Sequence, residues 1–354
     1  MKLPADGAQT NARDRSVHST GGSAIAAREP TIGRRQFVTG AAAVATLEVS
    51  LVDVALGDPR RDFTFAWLSD AHVQHVRGTQ FVRAWDEALG RAVAEANLLR
   101  PRPDFAVFGG DLAHLGTPAE IEHGADLLSR LDCPLRMVIG EHDYYFDLGE
   151  RWSRLFGPQW YSFDHKGTHF VVLNSVLADE AWLGRWPDGA RRMAEMAGLE
   201  NPNGAAFRVG ARQRAWLARD LARVPKSMPL VVLSHSPLRR IQRDWNFWTE
   251  DAEQVHAILA PFAGVTVFHG HVHQVQHARA GNIEFHAVKA TAWPWPQVAD
   301  PSRAHVPPRA DLLPRADLLP RLTIAASGAV STGWQLVDVH SGRVALRQPL
   351  DVRV

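Results

Sequence analysis

Five runs of apolar, β-forming residues punctuate the chain: Phe63 to Leu68, Phe105 to Phe108, Leu135 to Ile139, Leu230 to Leu233 and Val265 to Phe268. They are continuous rather than alternating, as strands buried on both faces require, because a solvated face would demand a polar residue at every second position. Between the first two runs, Phe81, Trp85, Ala88, Leu89, Ala92, Val93, Ala96 and Leu99 recur at helical spacing until Pro101. Thr117, Pro118 and Glu120 supply a cap, a first-turn proline and a capping box for a helix through Leu131. From Phe63 to Ile139 the pattern therefore predicts strand, helix, strand, helix, strand, with the helices packed outward.

Further along, Trp160 to Phe163 and Thr168 to Leu173 flank Lys166-Gly167 as a hairpin would. Gln213 to Leu221 and the stretch around Val255 to Leu259 read as helices, and Trp334 to Val339 with Val344 to Leu346 as a closing hairpin. Between Ala178 and Gly210 no period is clear, and the segment reads as an irregular excursion near a site mouth. His277 and His286 fall on the last sheet strands and read as structural. Trp245 to Trp248 and Trp293-Pro294-Trp295 would either wall a substrate pocket or seal a core edge.

Each apolar run ends in a polar block: Asp70-Ala71-His72, Gly109-Gly110-Asp111, Gly140-Glu141-His142-Asp143, Ser234-His235 and Gly270-His271-Val272-His273. These sit at the carboxyl ends of strands, where open α/β sheets place their ligand sites. One Asp or one His-x-His is an ordinary loop feature. Five blocks in register with five strands form a constellation, and carboxylates mixed with imidazoles suit a centre that binds metal ions and hydrolyses esters.

The set and its order resemble the calcineurin-like metallophosphoesterase superfamily, whose pattern runs Asp-x-His, Gly-Asp, Gly-Asn-His-Asp/Glu, His and Gly-His-x-His. The resemblance covers Asp62 to Ala292, and the wording from Asp104 to Tyr144 is most similar to the class III cyclic-nucleotide phosphodiesterase-like branch. It implies an α/β fold of the four-layer αββα sandwich kind, two mixed sheets flanked by helices. It also implies one metal on Asp70, His72, Asp111 and His273, and a second on Asp111, Glu141, His235 and His271, with Asp111 bridging. Nitrogen and oxygen ligands without thiolate suit two divalent or mixed-valence ions drawn from Mn, Fe, Zn or Co. His142 is then not a ligand but the candidate general acid, since an imidazole titrates near neutrality. The implied reaction is in-line attack of metal-bound hydroxide on a small-molecule phosphate mono- or diester.

Two positions depart from that pattern. Glu141 stands where the superfamily usually has Asn, adding a negative charge, and His114 stands where many relatives carry an Asp that orients the catalytic histidine. His142 and His114 are therefore carried together as the candidate catalytic pair. The departures leave two rival readings open: a non-catalytic exported metal-binding protein, or a carboxylate-rich dimetal site with redox chemistry.

Composition changes little for the folded part. With 45% hydrophobic residues the chain can build a large core, and a net charge of +1 gives no electrostatic case for nucleic acid. Residues 1–30 lack apolar periodicity, while Gly33-Arg34-Arg35-Gln36-Phe37-Val38 followed by the alanine-rich Gly40 to Gly57 resembles a twin-arginine export signal. The expected organisation is thus a signal-bearing segment 1–57 and a phosphoesterase domain 58–354, delivered by the twin-arginine export machinery to the periplasm, with no retained membrane span. The hexapeptide Arg-Ala-Asp-Leu-Leu-Pro occurs twice in tandem from Arg309 to Pro320, within an expected surface loop over residues 302–322. The one cysteine, Cys133, excludes an intrachain disulfide and reads as a structural thiol.

Overall fold

The computed structural model describes residues 62–197, 206–241, 246–292, 333–340 and 342–347. The export-signal segment, the tandem hexapeptide, Trp245, Trp293 and Trp295 lie outside these residues. Element order is β1 (Phe63–Leu68), β2 (His75–Arg77), β3 (Gln80–Phe81), α1 (Arg83–Leu98), β4 (Phe105–Phe108), α2 (Pro118–Leu128), β5 (Leu135–Met137), α3 (Glu141–Tyr144), α4 (Glu150–Phe156), β6 (Tyr161–His165) and β7 (Thr168–Val172). The chain continues through α5 (Glu180–Arg185), α6 (Gly189–Ala197), α7 (Ala211–Leu221), β8 (Leu230–Ser234), α8 (Ala252–Leu259), β9 (Val265–His269), β10 (Gln276–Ala280), β11 (Ile283–Ala287), β12 (Gln335–His340) and β13 (Arg343–Arg347).

Two mixed sheets carry the fold, ordered β13-β12-β1-β4-β5 and β10-β11-β9-β8-β7-β6. β1, β4 and β5 run parallel, as do β7, β8, β9 and β11, and antiparallel strands flank both parallel sets. The continuous apolar runs are explained by what each face meets. Phe63, Phe65, Trp67 and Phe105 point from the first sheet onto Phe170, Leu233 and Phe268 of the second. Phe65 stacks on Phe105 with ring centroids 5.1 Å apart. Full burial of each such ring contributes about 1.5–3 kcal/mol.

The opposite face of the first sheet, through Ala66, Leu68, Ala106 and Phe108, packs on Leu89 and Val93 of α1 and on Ile121 and Leu128 of α2. The second sheet's outer face, through Val232, Val267 and Phe285, packs on Leu217 of α7 and Val255 of α8. The layers are helix, sheet, sheet, helix, as the resemblance implied.

The capping box at Thr117 forms, and Glu120 does more than cap. Wholly buried, it accepts from the backbone N–H of His75, Leu115 and Thr117, tying the loop after β1 to the start of α2. One expectation is corrected: the segment from Ala178 to Gly210 is not simply irregular. It contains α5 and α6, whose Trp182, Met193 and Met196 are buried in the same core as α1 and α2. Cys133 is half-buried, and burial pushes its thiol up to about 11, which suits an unreactive packing residue.

Candidate metal centre

Every polar block emerges at the carboxyl end of its strand, and the two sheets bring those ends together. Asp111, Glu141, His235 and His271 offer ligand atoms all within 4.8 Å of one another, and so do Asp70, His72 and His273. The seven expected ligands thus fall into two groups, Asp111 clustering with the second expected set and not with Asp70, His72 and His273, while His72 also clusters with His114 and His142.

The backbone is bent to aim them. Asp70, His72, Asp111, His271 and His273 all have left-handed backbones, with φ between 47° and 66°. Such conformations cost non-glycine residues energy and persist where surrounding structure over-determines them. Here the determinants are explicit. The N–H of Asp70 bonds the Gly110 carbonyl at 2.9 Å and that of His72 the Asp111 carbonyl at 3.0 Å, splicing the first block onto the second. His271 N–H donates to Asp70 Oδ1 at 3.0 Å, splicing on the last block. Gly110, with φ 105°, lies so close to the His235 ring that a Cβ there would collide with it.

Asp111, His235 and His271 are each oriented by a bond made at another atom of the same side chain. His142 N–H donates to Asp111 Oδ1 at 3.0 Å, which leaves Oδ2 turned to the histidines. That Oδ2 lies 3.2 Å from His235 Nε2 and 3.7 Å from His72 Nε2, one nitrogen from each group. His235 Nδ1 donates to the Gly109 carbonyl at 2.7 Å, so Nε2 carries the lone pair in the neutral ring. His271 is fixed the other way: Nε2 donates to the Asn246 carbonyl at 3.2 Å, and Nδ1 faces Glu141 Oε1 at 2.6 Å. His273 Nε2 lies 3.1 Å from Asp70 Oδ1.

Whether these residues suit metal ions can be asked of their polar atoms. Asp70 Oδ2, Glu141 Oε2 and His235 Nε2 are buried and make no hydrogen bond, although the last two are 3.0 Å apart. Buried carboxylate oxygens left without a hydrogen bond are costly, and a shared cation relieves that cost. Burial works to raise the Glu141 carboxyl, yet His271 and His235 beside it hold it well below the usual range. Asp70 is likewise held down, against its burial, by His273 and His235. Both carboxyls are thus held toward the ionised form, and the donor set fits two borderline divalent ions.

His142 and His114 stand beside the first group. The His142 ring meets His72 edge-on at 4.7 Å between centroids and lies 5.5 Å from the His114 ring. Its Nδ1 donates to the backbone carbonyl of His114 at 2.5 Å. The orienting contact thus comes from the main chain at position 114. Burial and the neighbouring His142 lower the His114 imidazole to about 3, so it stays neutral and brings no charge.

Sequence reasoning overlooked three supports. Asp143 accepts from Ala113 N–H at 2.9 Å and from Gly140 N–H at 3.1 Å, clamping the second block to the third. Burial and the nearby Asp111 charge raise its carboxyl well above the usual range. Ser175 Oγ accepts from the N–H of His235 and of Ser236 at 3.1 and 2.9 Å. Asn246 bonds His271 through its carbonyl, and Phe247 packs edge-on against that ring at 5.1 Å. Asp143's place in the third block was a visible signal, and Asn246 and Phe247 lie in the aromatic segment weighed as a pocket wall or core seal; Ser175 offered none.

Residues 63–275 match the profile of the calcineurin-like phosphoesterase family. Over 203 residues the chain is 30% identical to the human serine/threonine-protein phosphatase CPPED1, covering 52% of this chain and 58% of that protein. It is 24% identical over 176 residues to a probable glycerophosphodiester phosphodiesterase, GpdQ, of Arcobacter nitrofigilis, covering 49% and 56%. The chain therefore spans less than two thirds of the length of these curated relatives. A solved dimetal phosphatase from Danio rerio superposes with a TM-score of 0.53 at 15% identity, covering 81% of this chain and 96% of that one, which supports the fold.

Proposed function

Because the chain belongs to the calcineurin-like phosphoesterase family, we propose that it is an exported dinuclear-metal phosphohydrolase acting on a phosphate mono- or diester. The observation that carries this reading is the position of Asp111, whose Oδ2 faces one histidine of each ligand group at 3.2 and 3.7 Å. A carboxylate so placed suits a bridge between two ions. The matched phosphatase and glycerophosphodiester phosphodiesterase, by their names, act on phosphate esters, which supports the substrate class.

Two divalent ions, when bound, supply Lewis-acid clamping of phosphoryl oxygens and acidify a water to make the nucleophile. The chain's own residues do the rest. Asp70, His72, Asp111 and His273 would hold one ion, and Asp111, Glu141, His235 and His271 the other. Three carboxylate ligands against two divalent ions would leave the centre net positive, attractive to an anionic ester. His142, fixed through Nδ1, has its other ring nitrogen left to donate a proton or hydrogen bond at the departing oxygen, a role it can fill only as the doubly protonated imidazolium.

The test is turnover of aryl phosphate mono- and diesters by the Mn-loaded protein, together with metal analysis. Hydrolysis supports the reading, and bound metal without turnover of either ester class favours the non-catalytic metal-binding alternative. The export half of the proposal rests on the Arg34-Arg35 pair before an apolar segment.

A further inference from the structure

A second cluster of metal-type side chains lies on the β10–β11 hairpin, apart from the centre described above. Antiparallel register sets His277 directly opposite His286 and Arg279 opposite Glu284. Because side chains two residues apart on a strand share a face, Glu284 joins His286 and His277 on one side of the sheet. Their ligand atoms all lie within 4.8 Å of one another. His286 Nε2 is 4.0 Å from Glu284 Oε2, and the two imidazoles are 4.7 Å apart between centroids.

The second observation is His286 itself. Only 8% of it is exposed, and neither Nδ1 nor Nε2 has a hydrogen-bond partner. Its ring lies against Phe268, 5.5 Å away, so one flank is apolar and the other looks onto His277 and Glu284. A buried imidazole with both nitrogens unsatisfied is uncommon, since most buried polar groups are paired. Had packing been the whole purpose, an apolar residue would serve better here.

We propose that His277, Glu284 and His286 form a third metal site, for a single borderline divalent ion of the zinc class, which staples the edge hairpin. Two imidazoles and one carboxylate are a donor set that zinc accepts, with water in the fourth position. Tetrahedral bonds of about 2.0–2.1 Å put ligand atoms about 3.3 Å apart, so the observed spacing closes by small side-chain rotations. The staple sits just after the ligand block: β10 begins three residues beyond His273, and Arg239 also holds its first residue, Gln276, at 3.1 Å.

The experiment is equilibrium dialysis of the full chain against Zn²⁺, with zinc counted per chain in wild type, His277→Ala and His286→Ala. His277 is exposed, so its removal leaves the fold intact even if the buried His286→Ala protein does not fold. Wild type should hold one more zinc than His277→Ala, with unchanged aryl phosphate turnover in Mn. The Co²⁺-loaded wild type should show a tetrahedral absorption component that the variant lacks. Equal zinc content in wild type and His277→Ala overturns the proposal. The difference between the two proteins is read whether or not the main centre hydrolyses anything, so this site and the proposed function fail separately.

Discussion

The side chain of His142 is held by the backbone of His114: Nδ1 donates to the position-114 carbonyl at 2.5 Å, and a carbonyl can only accept. Nδ1 therefore keeps its proton whether the ring is neutral or imidazolium, without the carboxylate that many members of the family use for this purpose, and it is the imidazolium form that leaves Nε2 a proton to give. His142 can be tested as the group that assists departure. His142→Ala should lower kcat by roughly 10²–10⁴ for an alkyl phosphate ester, with metal content near wild type. A nitrophenyl ester, whose leaving group needs less protonation, should lose less. Equal losses for both esters would argue against proton donation, and lost metal would make His142 a ligand.

Glu141 is the clearest departure from the family pattern, and its two oxygens face different histidines, His271 at 2.6 Å and His235 at 3.0 Å. Glu141→Asn keeps one ligand oxygen and removes one negative charge. The second ion should bind more weakly, while turnover of a standard phosphodiester at saturating metal should hold or rise, because a more positive centre favours an anion. Activity that no metal concentration restores would show that the carboxylate itself is required.

Far from the centre, His169 bridges two carboxylates, with Nδ1 2.6 Å from Asp164 and Nε2 3.0 Å from Asp220. Both contacts are hydrogen bonds only when both nitrogens are protonated. Burial opposes the charge, but Asp220 and Asp164 overcome it and raise the imidazole above its ordinary 6.5. A raised folded-state value contributes stability that is fully present below about pH 6.5 and is lost as pH climbs through the raised value. His169→Gln should therefore cost stability, about 1.5–3 kcal/mol for hydrogen bonds to charged groups, at pH 5.5 and progressively less toward pH 9. Denaturant melts of both proteins across that range check it; a gap that widens with pH contradicts the assignment.

The export proposal has its own test. Arg34→Lys with Arg35→Lys should leave the precursor in the cytoplasm with its folded domain unchanged. Normal delivery of the doubly substituted chain to the periplasm would remove the twin-arginine reading.

The metal blocks were legible because each requires a particular residue type at a strand end, and the strands announce themselves by continuous hydrophobicity. The hairpin at Lys166-Gly167 and the capping box at Thr117 were legible for similarly local reasons. α5 and α6 were not, because they are short and are stabilised by burying Trp182, Met193 and Met196 in a distant core rather than by an uninterrupted helical period. Ser175 and Asn246 escaped because a hydroxyl accepting from a backbone N–H and a backbone carbonyl accepting from a histidine leave no mark in residue type. At position 114 the side chain drew attention, whereas the orienting contact is made by the carbonyl.

Asp111 is the one residue proposed to serve both ions, so the most direct measurement is the Asp111→Asn protein beside wild type, assayed for metal content and for aryl phosphodiester turnover in saturating Mn. Asp111 Oδ2 faces a histidine of each group, and Asp111→Asn puts a neutral amide in place of the carboxylate proposed to bridge both ions. The expected result is at least one Mn fewer per chain and turnover reduced to background, in a protein whose circular dichroism matches wild type. Unchanged turnover and unchanged metal content in Asp111→Asn would contradict the dinuclear centre outright.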